Sequence, residues 1–167
     1  MFARTRVLGL TVAVLVGSTG ALVGTTGASA QSDSPFSSLA GSWSGSGTIS
    51  MNDGHNERIR CKAQYEVTPS GIIMHQNLRC ASDSYKFEVK SSLQADGSQI
   101  MGTWTETTRQ VTGDVTGSIQ NGNISTSVKG TGFTATLAVQ TRGNSQAVSI
   151  VPTGTDIQSV KIELKRA

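Results

Sequence analysis

The sequence predicts an all-β protein folded as a single closed, antiparallel, up-and-down barrel of about ten strands, with a two-sheet sandwich as the alternative architecture. Three observations predict it. Apolar and polar residues alternate with a period of two along most of the chain after residue 38, as strands with one buried face do. Turn-forming pairs such as Asp96-Gly97, Asn121-Gly122 and Gly143-Asn144 interrupt that alternation at short intervals, as hairpins require. No segment beyond residue 30 carries a helical period.

Residues 1–30 read as a secretory signal peptide. Arg4 and Arg6 form a short positive start, Val7 to Val23 is apolar but broken by Gly and Ser, and Ala28-Ser29-Ala30 is an A-x-A cleavage site. The interruptions argue against a membrane anchor. The lack of a Cys at the cut argues against a lipoprotein, and Thr5 between the two arginines argues against a twin-arginine signal. The mature chain is expected to begin at Gln31, to be periplasmic or secreted, and to hold no transmembrane span after cleavage. Of the 14 Lys and Arg the leader takes two, which leaves 12 against 11 Asp and Glu. A near-neutral chain without basic runs gives no electrostatic case for nucleic acid or for an anionic membrane.

Residues 31–38 are polar and Ser-rich and read as a flexible N-terminal arm, and 39–167 as one barrel domain. The first strand, Leu39 to Met51, sets Leu, Gly, Trp, Gly, Gly, Ile and Met against Ala, Ser and Thr. After the loop Asn52 to Asn56, the second strand places Ile59, Cys61, Ala63, Tyr65 and Val67 on one face and Arg58, Arg60, Lys62, Gln64 and Glu66 on the other. Pro69 and Gly71 mark the next turn. Pairing Val67 with Met74 across it sets Cys61 opposite Cys80, at disulfide distance and on the apolar face. An even Cys count in an exported chain favours that disulfide over a reactive thiol or a metal site.

The fourth strand, Ser84 to Ala95, alternates Tyr85, Phe87, Val89 and Leu93 with Lys86, Glu88 and Lys90. A type I′ turn at Asp96-Gly97 pairs Leu93 with Ile100 and Val89 with Trp104. Asn121-Gly122 pairs Ile119 with Ile124 and Val115 with Val128. Gly130-Thr131 pairs Val128 with Phe133 and Ile124 with Leu137. Gly143-Asn144 pairs Val139 with Val148 and Leu137 with Ile150. The last strand, Asp156 to Lys165, carries Val160, Ile162 and Leu164 inward. A meander this long with one apolar face must cover that face and remove its edges, and closing the last strand on the first does both.

Ten strands leave more interior than the eight that side chains just fill. The inward set mixes small residues (Gly41, Gly45, Gly47, Ala63, Gly102, Gly113, Gly117, Thr126, Ala135) with a few large ones. Trp43, Tyr65, Met74, Tyr85, Phe87, Trp104 and Phe133 are therefore expected to line an apolar ligand cavity; the alternative is a flattened barrel whose aromatics fill the space the glycines leave. The end with the longer, more polar loops is the expected mouth, with Asp53, His55, Glu106 and Arg109 on it. A rim ion pair between Glu106 and Arg109 is the plainer expectation for those two. No nucleophile elbow, paired His ligands or phosphate loop is present, so no catalysis, cofactor or metal is expected.

Gly41-Ser42-Trp43 resembles the G-x-W that opens the first strand of calycin barrels. The longer run Gly41-x-Trp43-x-Gly45-x-Gly47 is similar to the opening strand of nitrobindin-like ten-stranded barrels, which implies a barrel for haem or another hydrophobic ligand. That family's haem ligand is a His late in the chain, whereas this chain has none after His75, so haem is disfavoured. Gly41-Ser42-Trp43 with Cys61 and Cys80 also resembles small bacterial barrels that inhibit metalloproteases through an N-terminal arm, which implies a protein partner for residues 31–38. The expectation is thus a non-catalytic exported barrel binding a small hydrophobic ligand. The alternatives are an inhibitor or interaction module acting through its arm or mouth loops, and an envelope protein with a filled core.

Overall fold

A computed structural model describes residues 34–167; the expected signal peptide, 1–30, lies outside the described residues. Ten strands follow one short 3-10 helix, Ser37–Leu39. They are β1 (Gly41–Met51), β2 (Asn56–Val67), β3 (Ile73–Ala81), β4 (Lys86–Asp96), β5 (Gln99–Glu106), β6 (Val111–Gln120), β7 (Asn123–Gly130), β8 (Phe133–Arg142), β9 (Ser145–Thr153) and β10 (Ile157–Arg166). Each pairs antiparallel with the next, and β10 returns to β1, so the sheet closes into a barrel and the sandwich alternative is excluded. Among the described residues no helix is long and apolar enough to cross a membrane.

Alternation decides which side chains share the interior. Ile59, Cys61, Ala63 and Tyr65 of β2 are buried while Arg58, Arg60, Lys62 and Gln64 between them are exposed. The seam obeys the same rule, pairing Gly45 with Leu164, Gly47 with Ile162 and Ile49 with Val160. The glycines are needed there. A Cβ on Gly45 would stand 1.9 Å from the Glu163 carbonyl oxygen, and one on Gly47 2.2 Å from that of Lys161. The sheet bends so sharply at these positions that a side chain has no room. A bulge follows at the open end of the seam, between Ser50 and Met51.

Two of the expected hairpin registers require correction. The chain turns at Gly97-Ser98, not Asp96-Gly97, so Asp96 pairs with Gln99, Leu93 faces Gly102 and Val89 faces Glu106. It turns again at Thr131-Gly132, not Gly130-Thr131, so Val128 faces Ala135 and Ile124 faces Val139. In each case a glycine with positive φ, Gly97 at 55° and Gly132 at 82°, takes a central turn position. Moving a two-residue turn by one position shifts the register by two, which leaves every side chain on its expected face. The turns at Asn121-Gly122 and Gly143-Asn144 have the expected registers. Asn121 and Gly122 both have positive φ, 51° and 75°, as a type I′ turn demands.

One end of the barrel is plugged. Of residues 31–38, expected to be a flexible arm, 31–33 lie outside the described residues and 34–38 are docked. The Phe36 amide donates to the Gly71 carbonyl at 3.1 Å, and the side chains of Phe36 and Leu39 are fully buried. Leu39 belongs to the 3-10 helix and not to the first strand. Apolar burial wins over the polarity of the surrounding serines because one phenyl ring removes more surface from water than they expose. Trp43 lies beside the plug, donating from Nε1 to the Leu39 carbonyl at 2.8 Å, with the Arg166 guanidinium 4.3 Å above its ring. Arg166 also donates to the carbonyls of Ala40 and Ser38, so the last strand ties down the plug.

The Cys61–Cys80 disulfide joins β2 to β3 with Cα atoms 4.2 Å apart, on the inner face as expected. It closes a loop of sequence separation 19, so a Cys61→Ala/Cys80→Ala variant is expected to lose about 3 kcal/mol of stability in urea denaturation. Phe36→Ala, which empties the plug, is expected to cost about 3–5 kcal/mol in the same measurement.

Candidate functional site: an apolar cavity in the barrel

The interior is not filled. A cavity of about 680 Å³ runs along the barrel axis, within the range that small-molecule sites occupy. Its floor is the plugged end, where Leu39, Tyr65, Met74 and Leu164 face it, and its opposite end is ringed by Arg109, Thr131, Thr155 and Asp156 from the β5–β6, β7–β8 and β9–β10 loops. Val89, Val128, Leu137 and Ile150 sit within strands and point inward, yet remain partly accessible. Water reaching such side chains is what an open cavity produces and a packed core forbids.

The aromatic residues expected to line the cavity divide into three groups. Trp43 does not reach it and belongs to the closed-end core. Tyr65 and Met74 form the floor, and Phe87, Trp104 and Phe133 form the wall, with Tyr85 half-buried near the mouth. Trp104 and Phe133 meet edge to face, with centroids 5.5 Å apart at 66°. The indole of Trp104 lies over two glycines. A Cβ on Gly113 would be 2.8 Å from its Nε1, and one on Gly130 2.9 Å from its Cζ2. The glycines thus let a large ring lie flat against the wall, where Nε1 donates to the Lys129 carbonyl at 3.2 Å. This is the filling of glycine space by an aromatic that the sequence allows for, but it occurs locally and leaves the lumen open.

Inward polar groups are few and mostly paired, as burial requires. Tyr65 Oη donates to Gln146 Oε1 at 2.8 Å, and Gln146 Nε2 donates to Thr141 Oγ1 at 3.2 Å. Burial pushes the Tyr65 phenol well above its ordinary range, with Gln146 partly opposing, so it stays a neutral donor. Higher on the wall Ser91 Oγ donates to Gln76 Oε1 at 2.9 Å. The buried Gln146 and Thr141 carry no apolar signal in the sequence; only their phase with Val148 and Val139 marks them as inward.

At the mouth, Glu106 and Arg109 line the cavity, whereas Asp53 and His55 do not. Those two are exposed in the β1–β2 loop, where the His55 amide donates to Asp53 Oδ1 at 2.9 Å and closes a local turn. Glu106 is buried and organises the β5–β6 loop. It accepts from the amides of Glu88 and Thr108, both at 3.1 Å, from the Thr108 hydroxyl, and from the Arg109 amide at 2.6 Å. The expected ion pair exists but is loose: Arg109 Nη1 is 3.9 Å from Glu106 Oε2, and the guanidinium is well exposed.

Burial works against the Glu106 charge, but the Thr108 hydroxyl and the three amides outweigh it and hold the carboxyl below its ordinary value. A carboxylate with a depressed folded-state pKa adds stability above its unfolded pKa and loses it as pH falls through the folded one. The amide resonances of Thr108 and Arg109 are therefore expected to titrate together in NMR with a midpoint below that of an ordinary glutamate, and to lose that transition in Glu106→Gln.

No family model matches the sequence, and no curated protein matches it. Solved structures do share the fold. The chain is similar to Rv2717c from M. tuberculosis, with 11% identity and a TM-score of 0.56 over 83% of this chain and 98% of that one. It is similar also to the S-type phycobiliprotein lyase CPES from Guillardia theta, with 11% identity and a TM-score of 0.57 over 79% of this chain and 90% of that one. At these identities the likeness is one of fold alone.

Proposed function

We propose that the protein is an exported, non-catalytic carrier or receptor for one small hydrophobic molecule held in the barrel. The observation that carries this reading is the cavity of about 680 Å³, walled by apolar side chains that water reaches from the mouth. Keeping such a wall unpacked forfeits dispersion contacts that a filled core would have. A ligand that occupies the lumen restores them. The lining offers no metal-ligand set and no nucleophile beside a base, so binding is the chemistry it supports best. The fold shared with a phycobiliprotein lyase is compatible with an enclosed small molecule, and the disulfide supports an oxidising compartment outside the cytoplasm. The plug at Phe36 and Leu39 gives no support to an inhibitory arm, because those side chains are committed to the core.

A ligand entering from the mouth puts its apolar part against Phe87, Phe133 and Leu137 and its polar end among Arg109, Thr155 and Asp156. The test combines a fluorescent apolar probe, 1-anilinonaphthalene-8-sulfonate, with a substitution that fills the lumen. Ala135 faces the cavity. Ala135→Trp is expected to keep its thermal midpoint within a few degrees while probe binding and the accompanying quenching of Trp104 fall by about tenfold or more. A large loss of stability without probe binding in the parent would mean that the interior is packed, and would overturn the reading.

A further inference from the structure

The outer wall carries a basic trough that the near-neutral balance of the chain conceals. Outward residues of β1 run Ser44, Ser46, Thr48. Through the β1–β2 register they stand beside Lys62, Arg60 and Arg58, and through the β1–β10 register beside Lys165, Glu163 and Lys161. A row of short hydroxyl side chains is thus flanked on both sides by long charged ones, five cations and one acid. Alternate residues on a strand are about 7 Å apart and the two flanking strands lie about 10 Å from each other, so the charged side chains stand in two rows on either side of β1.

These groups are not spent on one another. Arg58, Arg60, Lys62 and Lys161 are exposed, and among the described residues none makes an ion pair; the ion pairs present are those of Arg79, Lys90 and Arg109. Lys165 donates to Ser145 Oγ at 2.5 Å and has no acidic partner. Arg79, opposite Lys62, is taken by Glu88 at 3.1 Å and bounds the patch. The hydroxyls at the two ends are engaged, Ser42 with Gln64 at 2.5 Å and Ser50 with Asn56 at 2.6 Å. Those of Ser44, Ser46 and Thr48 make no hydrogen bond among the described residues. Like charges held in parallel rows repel, and a polyanion lying between them relieves that repulsion.

We infer that this trough binds a linear anionic polysaccharide laid along β1, with its carboxylate or sulfate groups on the flanking Lys and Arg and its hydroxyls on Ser44, Ser46 and Thr48. The floor holds no aromatic ring on which a nucleic-acid base would stack, and no apolar side chain to enter a lipid surface. Sugar hydroxyls and spaced anions match what it does offer. The site is on the outer face, separate from the cavity, and stands whether or not the lumen holds a ligand.

The test is binding of the purified protein to alginate and to dextran sulfate, with neutral dextran, oligothymidine and phosphatidylglycerol vesicles alongside, at two salt concentrations. Expected are salt-sensitive binding to the two anionic polysaccharides, none to dextran, and weaker binding to oligothymidine and to vesicles. The variant Arg58→Gln/Arg60→Gln/Lys62→Gln is expected to lose about tenfold or more and to show a shallower salt dependence. Lys86→Gln/Lys90→Gln/Lys129→Gln, which removes the same charge from other strands, is expected to change affinity by about twofold or less. Should the first variant fail to fold by circular dichroism, Lys161→Gln/Lys165→Gln tests the opposite wall. Equal losses in the trough and control variants, absence of polysaccharide binding, or tighter binding to oligothymidine or vesicles would each overturn the inference.

Discussion

Closure of the barrel depends on β1, the strand paired on both edges by chain segments more than a hundred residues apart. Its hydrogen bonds to β10 remove the two free edges that a ten-stranded meander otherwise presents. Its pleat sends Trp43 and Ile49 into the core and Ser44, Ser46 and Thr48 to the surface. Gly45 and Gly47 make the seam possible, since any Cβ there collides with a β10 carbonyl. If the seam were open, the apolar faces of ten strands would be exposed together, because no second sheet among the described residues covers them.

Closure explains why the two ends differ. At the plugged end the helix Ser37–Leu39, Trp43 and the Tyr65–Gln146–Thr141 chain convert the lumen into a solid core with its polar atoms satisfied. Toward the other end Val111, Phe133 and Ile157 are partly accessible while Ile49 and Ile59 stay buried, and the loops are held by carboxylates: Glu106 gathers the β5–β6 loop, and Glu57 accepts from the Ser84 amide at 2.9 Å to hold the β3–β4 loop.

Much of this was legible in the sequence because a period of two is a strong signal and because hairpin turns carry their own chemistry. The ten strands, their closure and the Cys61–Cys80 pairing follow from it. The misplaced turns at Asp96-Gly97 and Gly130-Thr131 have a common cause. Each lies where glycine permits two neighbouring turns: Gly97 fits the first or the second central position, and Gly130 and Gly132 flank Thr131 on either side, so only the ladder decides. Phe36 was hidden among serines, where local polarity outweighs a single ring in any reading by composition. Asp53 and His55 were placed at the mouth by loop length, yet a loop can lie at an open end without facing the lumen. The basic trough was invisible for a different reason: its cations alternate with apolar residues on strands that meet only after closure.

The first described residues and the C-terminal residues of β10 meet at the plugged pole. The Arg166 side chain reaches the Ser38 and Ala40 carbonyls, and the Ala167 amide donates to the Ser42 carbonyl at 2.9 Å. Proximity of termini is the condition for circular permutation. A short linker from Ala167 to residue 34 would stay far from the lumen opening, and new ends could be cut into any loop at that opening without breaking the strand order. The same arrangement suits display, since an immobilising tag on Ala167 would orient every molecule with the opposite pole facing the solution.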